Sequence, residues 1–389
     1  MWILLFLTLP VCAFLLITGI FGHHLNKNLK KVTQAKALLD DANLPELSLV
    51  IPVRNEAQTL PQAVDSVLAI DYPKLQIIYV DDRSDDESPT ILDNYAKNDP
   101  RMTVLHLDTL KEGWLGKVRA LHTGFEQATG EWVLASDADL CFSPQLTRYA
   151  LSLAVEQKLD HLAIMPKMLA KGFWYRLSLC AFGAAFMLLV RPKALMDPQS
   201  KAYTGIGAFN LIRRSRFDRS KGFEWLRLEV ADDMGLGMLI KQAHGRSMLV
   251  RSCGLLTVSW YPNLKAMMHG LEKNLFAVTC GYSYLRLLAT VILVLMLFFT
   301  PWLALFQPWF DWLSVVALLA IASNAYYNLS VSRISGMPTP IALFAPLGLW
   351  TLLYALMISA YKTWKQDGIY WRESFYSLDT LRKGRRVKL

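Results

Sequence analysis

The chain has 389 residues, 53% hydrophobic and 19% charged, and its 41 Lys+Arg against 32 Asp+Glu leave a net charge of +9. With the apolar residues gathered toward both ends, this is the composition of a membrane protein with an aqueous middle, and its cationic excess suits anionic lipid surfaces and phosphorylated substrates. No basic run interleaved with aromatics points to nucleic acid, and five scattered cysteines without a CxxC pair indicate neither a zinc site nor a disulfide frame; a reduced, cytosolic face follows.

Trp2 to Phe21 is a charge-free, mostly apolar run of about the ~20 residues that a bilayer span requires. Lys27, Lys30 and Lys31 follow it, the reverse of a cleaved signal peptide, which puts the amino terminus outside and the next segment in the cytoplasm. Residues 26–45 read as a polar linker or juxtamembrane helix. From Leu47 the pattern alternates. Leu47 to Val53, Leu75 to Val80, Met102 to Leu107 and Trp132 to Ala135 are short β-rich runs. Between them, helices are marked by Leu60, Ala63, Val64, Val67 and Leu68 on one face, by Ser88-Pro89 at a helix start, and by Lys117 to Ala128. This βαβαβαβ order predicts a parallel, doubly wound sheet with right-handed crossovers. No GxGxxG follows the first strand and no P-loop sequence occurs, so the ordinary dinucleotide and P-loop fingerprints are absent.

After Pro144 a helix is predicted to about Lys158, with strands over His161 to Met168, Gly205 to Ile212 and Ser247 to Val258, and a helix over Leu228 to Ala243. Gly172 to Val190 is apolar and aromatic. It reads as an interfacial helix lying in the membrane plane, because a span there would carry the next residues to the wrong side. Leu285 to Phe306, Leu313 to Leu329 and Ile341 to Tyr361 are candidate spans. The tail from Lys362 to Lys388 is dense in Lys and Arg and asks for the cytoplasm, which three further spans would deny it. Leu313 to Leu329, weakened by Asn324, Tyr326, Tyr327 and Asn328, is the segment expected not to cross. The expected organisation is an anchor (1–22), a linker (23–46), an α/β domain (47–280, with the interfacial helix at 172–190), a membrane region of two or three helices (281–361) and a basic cytoplasmic tail (362–389).

The chemistry gathers at one sheet edge. Asp137 and Asp139 end the fourth strand one residue apart, so they share a face at the carboxyl end, where open α/β sheets place ligands. Two such carboxylates repel unless a cation lies beside them, and Mg²⁺ or Mn²⁺ carrying a diphosphate is the expected load. The first strand ends in Pro52-Val53-Arg54-Asn55-Glu56 and the second in Asp81-Asp82-Arg83-Ser84, acceptors for a nucleoside's ring and hydroxyls or caps for the next helices. Gly113-Trp114-Leu115-Gly116-Lys117 brings a lysine to a helix amino terminus, which suits a diphosphate oxygen or a solvated surface position. In Val230-Ala231-Asp232-Asp233 two acids open another helix, where by themselves they complement its dipole.

Taken together, Ile51-Pro52-Val53-Arg54-Asn55-Glu56, Val80-Asp81-Asp82, Gly116-Lys117, Ser136-Asp137-Ala138-Asp139 and Ala231-Asp232-Asp233 resemble the family-2 glycosyltransferases of GT-A fold, in order and spacing, over roughly Leu47 to Ala277. Gly113 to Lys117, Met196-Asp197-Pro198-Gln199-Ser200 and Trp260-Tyr261-Pro262 are similar to the membrane-bound branch with hopene-associated and ceramide glucosyltransferase-like members. The resemblance implies a Rossmann-like, mostly parallel GT-A domain between transmembrane helices. It also implies that Pro52, Glu56, Asp81 and Asp82, with Arg54 beside them, hold the nucleoside and Lys117 the ribose or phosphates. Asp137 and Asp139 would hold Mg²⁺ or Mn²⁺ and the diphosphate, and Asp233, with Asp232 beside it, would be the general base. The Gln-x-x-Arg-Trp motif of processive members is absent; Met268 to Asn274 occupies its place, with His269 and Lys273 as the nearby cations. The expectation is an integral membrane enzyme of the plasma membrane, its active domain cytoplasmic, that moves one sugar with inversion from a UDP-sugar to a lipid hydroxyl. A processive polysaccharide synthase and a non-catalytic membrane scaffold binding nucleotide sugar or lipid are the alternatives.

Overall fold

A computed structural model describes residues 2–306, 311–371 and 374–388, with side chains given from Phe6 onward and not for Trp371; Arg372 of the basic tail lies outside the described residues. The alternating middle forms β1 (Leu47–Val53), β2 (Leu75–Asp82), β3 (Met102–Leu107) and β4 (Trp132–Ala135), parallel in the order β3-β2-β1-β4. β1 is buried along nearly its whole length, as a continuous apolar run in a parallel sheet must be. After the amino-terminal helix α1 (Trp2–Asn28), crossover helices α2 (Leu60–Leu68), α3 (Ser88–Ala96) and α4 (Gly116–Gln127) cover the two faces; on α4, Gly124 lets the helix settle onto Val50 and Val80.

Beyond β4 the sheet departs from pure parallel winding. β5 (Leu140–Phe142), β6 (His161–Met165), β7 (Lys167–Met168), β8 (Asn210–Arg213), β9 (Ser247–Arg251) and β10 (Leu256–Val258) complete a seven-stranded sheet β3-β2-β1-β4-β8-β6-β9 and a small sheet β5-β10-β7. β8 runs antiparallel to both β4 and β6. Two predicted strands are each divided. Pro166, which has no N–H to donate, parts β6 from β7, and left-handed Cys253 and Gly254 (φ 55° and 88°) part β9 from β10. The strand predicted from Gly205 starts only at Asn210, and the helix predicted from Leu228 starts at Asp232. Both delayed starts lie at the site described below.

Three helices among the described residues are long and apolar enough to cross a membrane: Phe6–Asn28, Tyr284–Leu305 and Trp312–Ser335. The first and third pack together, with Gly19 against Ser323 and Gly22 against Tyr327. Polar residues of the Trp312–Ser335 helix find partners within the helices: Ser323 Oγ donates to the Leu16 carbonyl at 3.0 Å, the buried Tyr327 hydroxyl to the Ala184 carbonyl at 2.5 Å, and Asn328 Nδ2 to Asn324 Oδ1 at 3.0 Å. The helix expected not to cross thus has the length and apolarity of a span. Ala345–Gln366 is long enough, at 22 residues, but not apolar enough to count among these spans, and it packs on the 17-residue helix Phe173–Leu189 through Gly348 against Leu177 and Ala181 and a 2.7 Å Ser178–Thr351 hydrogen bond.

The basic tail folds back onto the α/β domain. A hairpin of Gly368–Trp371 and Ser374–Ser377 leads into a helix, Leu378–Gly384, whose Leu378 and Leu381 join the same buried cluster as Val118, Leu121 and Leu228.

Candidate active site

Because β1, β2 and β4 lie side by side and parallel, residues 52–56, 81–84 and 136–139 emerge along one edge. α4 brings Lys117 into this edge, and its Nζ lies 2.8 Å from Asp137 Oδ1 and 3.1 Å from Asp232 Oδ2. Burial opposes its charge, yet Asp137, Asp232 and Asp233 together hold Lys117 protonated, above the ordinary lysine value. Acids nearly a hundred residues apart thus meet at a single ammonium.

Asp233 is held by its backbone neighbours: Oδ2 accepts the Gly207 N–H at 3.1 Å and Oδ1 that of Met234 at 2.7 Å. Burial, followed by the charge of Asp232, pushes the Asp233 carboxyl up to about 7, a range suited to a proton acceptor at neutral pH. Asp232 is raised as well, by burial first. Asp139 is pushed up to about 7 by burial and then by the carboxylates of Asp137 and Glu56. Among the described residues, no three acidic, His or Cys side chains already surround a common point. The donor set still fits a divalent cation, since Asp139 is a half-buried carboxylate beside those of Asp137 and Glu56, and hard ions commonly complete their shell with substrate phosphate oxygens.

The remaining predicted residues divide. Asp82 is paired with its neighbour Arg83 through contacts of 2.8 and 3.1 Å and lies against Gly116, where any side chain would overlap its carboxylate. Asp81 is buried, with Oδ2 3.2 Å from His106 Nδ1. Pro52 is half-buried in register with Val80, and the Glu56 backbone N–H donates to Ser88 Oγ at 3.0 Å. Arg54 differs from its expected role. It is 9% exposed and donates to the Asp82 carbonyl at 2.7 Å, tying the ends of β1 and β2 together. His269 also lies apart, exposed and paired with Glu272 at 3.3 Å.

Sequence reasoning missed the wedge between the acids. Gly205-Ile206-Gly207, within the predicted strand, instead form with Thr204 a loop pressed against the Asp232–Gln242 helix. A Cβ on Gly205 would overlap the Asp233 carbonyl, one on Gly237 the Thr204 carbonyl, and one on Gly207 would lie 2.5 Å from Asp137 Oδ2. Three glycines let the two segments approach this closely. The available signal was Gly-x-Gly before an apolar run. His161 and Asn210 stand behind them: His161 Nε2 is 2.7 Å from Asn210 Oδ1, and Asn210 Nδ2 donates to the Asp233 carbonyl at 3.2 Å. The tail adds Tyr376, whose hydroxyl donates to the Trp114 carbonyl at 3.1 Å in the loop before Lys117.

Residues 48–219 match the family model described as Glycosyl transferase family 2. This stretch is a family-2 glycosyltransferase domain. The chain is 31% identical over 115 residues to the uncharacterized glycosyltransferase YibD of Escherichia coli, covering 30% of this chain and 32% of the relative. It is 32% identical over 96 residues to the GalNAc(5)-diNAcBac-PP-undecaprenol beta-1,3-glucosyltransferase of Campylobacter jejuni, covering 25% of this chain and 30% of that protein. The chain thus spans about a third of the length of these curated relatives. The mannosyltransferase PcManGT of Pyrobaculum calidifontis, solved with GDP-Man and Mn2+, superposes with a TM-score of 0.55 at 17% identity, over 94% of this chain and 99% of its own. That likeness supports the GT-A fold across both the sheet domain and the helices that follow it.

Proposed function

We infer that the protein is a membrane-anchored, inverting glycosyltransferase that moves one sugar from a nucleotide donor, UDP-linked, to a lipid hydroxyl. The observation that carries this reading is the convergence of Asp137, Asp232 and Asp233 around Lys117 at the carboxyl edge of the sheet. In this reading Asp82 and Asp81 receive the nucleoside, and Lys117 faces the donor's phosphates. Asp139 and Asp137 would hold Mg²⁺ or Mn²⁺, which when bound offsets the charge that develops on the leaving diphosphate. Asp233 accepts the proton of the acceptor hydroxyl as that oxygen bonds to the anomeric carbon and the bond to the diphosphate breaks. Attack from the face opposite the leaving group inverts the centre in one step. Gly207 and Met234 N–H groups fix the carboxylate in line for this transfer.

The acceptor follows from the helices. With the amino terminus outside, Phe6–Asn28 enters the cytoplasm, Tyr284–Leu305 leaves it and Trp312–Ser335 returns, so the domain and the basic tail share the cytoplasmic side. Phe173–Leu189 and Ala345–Gln366 then lie along the interface. Trp174 and Trp364 are 56% and 66% exposed, the placement of aromatic rings at a membrane surface. An acceptor headgroup at that depth reaches the site, and a relative named for an undecaprenol-linked acceptor is consistent with it.

The test is label transfer from radiolabelled UDP-sugars to a lipid extract by purified protein, with Mn²⁺ or EDTA. Lipid-soluble label that needs metal and falls at least about 1,000-fold in Asp233→Asn is the expected result. Donor binding without transfer to any acceptor would refute it, and a ladder of lengthening products would replace single transfer with polymer synthesis.

A further inference from the structure

Where the tail passes the foot of the Tyr284–Leu305 helix it borders an open, solvent-facing pocket of about 440 Å³ lined by Gly281, Ser283, Tyr284, Arg382, Arg385 and Lys388, together with Tyr282. Three cations face this space. Among the described residues none of them takes part in an ion pair, and Arg382 spends one guanidinium N–H on the Tyr282 carbonyl at 2.8 Å. The Arg385 side chain lies across Gly281, a left-handed residue (φ 57°) where any Cβ would overlap Arg385 Nη1, so glycine there is what lets the guanidinium occupy the pocket wall. The backbone of Lys388 is clamped by Tyr203, whose hydroxyl donates to the Lys388 carbonyl at 2.9 Å and accepts its N–H at 3.2 Å. The amino terminus of a 22-residue helix, capped by Ser283 Oγ accepting the Arg286 N–H at 3.4 Å, also opens here and adds the positive end of its dipole.

The basic residues and the helix end at this pocket favour a compact anion, with Tyr282 and Tyr284 as apolar walls beside them. Its position selects which one. The helix that starts at Tyr284 is the most apolar of the three candidate spans, and Leu285, one residue past the pocket, is 77% exposed on the side that lipid would cover. A headgroup phosphate in the pocket would continue directly into acyl chains along this helix. We propose that this pocket binds the phosphate of an anionic phospholipid of the cytoplasmic leaflet. The site is separate from the transfer chemistry and rests only on the membrane placement of the Tyr284–Leu305 helix. It also has a path to the catalytic acids. The strap that carries Arg385 continues into Arg386 and Val387, whose N–H groups donate to Glu229 Oε2 at 2.6 and 2.8 Å, while Glu229 Oε1 accepts the Ala231 N–H at 3.1 Å, next to Asp232. A lipid that orders the strap thereby orders the turn that presents Asp232 and Asp233.

The test is a binding titration of the full chain in detergent, read by thermal midpoint and needing no turnover, with dioctanoyl phosphatidylglycerol, dioctanoyl phosphatidylcholine and inorganic phosphate. The glycerol lipid is expected to raise the midpoint saturably, phosphatidylcholine to leave it unchanged, and inorganic phosphate to need at least about tenfold higher concentration. The double variant R382Q/R385Q is expected to weaken phosphatidylglycerol at least about tenfold, whereas K383Q, at a lysine outside the pocket and paired with Asp379, is not. G281A is expected to weaken it too. If the double variant elutes as aggregate, raising NaCl on the wild-type protein serves instead and is expected to weaken the anionic lipid alone. Equal response to both lipids, salt-insensitive binding, or an unaltered folded double variant would overturn the site; inorganic phosphate binding as tightly as the lipid would make it a free-anion site.

Discussion

Replacing Gly207 with alanine tests the wedge that separates the two halves of the site. The added methyl would stand 2.5 Å from Asp137 Oδ2, a separation that real Cβ atoms do not adopt. Asp137 cannot simply retreat, because it is paired with Lys117 at 2.8 Å, so the loop must move and withdraw the Gly207 N–H from Asp233 Oδ2. A hydrogen bond to a charged acceptor contributes about 1.5–3 kcal/mol. If that is lost where the base must be oriented, kcat falls roughly 10- to 150-fold at about 1.36 kcal/mol per decade. The assay is the initial rate of sugar transfer at saturating donor and acceptor, beside a thermal melt, with the midpoint expected to move by only a few degrees. Gly183→Ala is the control: its Cβ meets Ser335 and Val331 at an ordinary 3.6 Å, and its rate should match wild type. A Gly207→Ala rate within twofold of wild type, or an equal loss in Gly183→Ala, would refute the reasoning.

Three further outcomes follow from the same geometry. His161 is fully buried, and burial holds its pKa down at about 4, so between pH 6.5 and 4 the unfolded chain binds a proton that the native chain refuses. Its contribution is complete above pH 6.5 and is lost as pH falls toward 4, by up to about 3 kcal/mol; the wild-type stability lead over His161→Gln, measured by denaturant titration, should shrink accordingly, and a lead constant from pH 7 to 4.5 would contradict it. Lys117→Met leaves Asp137 and Asp232 facing each other without their shared cation, so donor affinity by calorimetry should fall about tenfold or more; unchanged affinity would remove Lys117 from the donor site. Glu229→Ala deletes the acceptor for the Arg386 and Val387 N–H groups. Trypsin should then cut the last four residues away faster than from wild type, as mass spectrometry would show, and equal cleavage rates would mean the strap is held elsewhere.

Periodicity and end signals made the local structure legible. β1, β3 and β4 fall on their predicted residues, and the helices at Ser88 and Gly116 begin within a residue of theirs, because strand patterning and helix-start signals are short-range properties. The acidic motifs could be placed at one sheet edge for the same reason: parallel strands with right-handed crossovers put all their carboxyl ends together.

What the sequence by itself determined, then, is the set of elements, the edge on which their acids emerge and the apolar helices at either end. Only the tertiary structure decided which long-range partner each residue meets. Arg54 sits within the donor motif yet closes a strand gap. Gly205 and Gly207 lie in an apolar stretch that reads as strand, and only the approach of the Asp232–Gln242 helix keeps them out of the sheet. Ser323 and Tyr327 of Trp312–Ser335 find partners in other helices, at Leu16 and Ala184, and the place of the basic tail on the α/β domain is set by Glu229, a residue over 150 positions away that accepts its backbone N–H groups. A contact between distant segments leaves no periodic mark in either one, since each partner's local pattern is satisfied equally well by solvent.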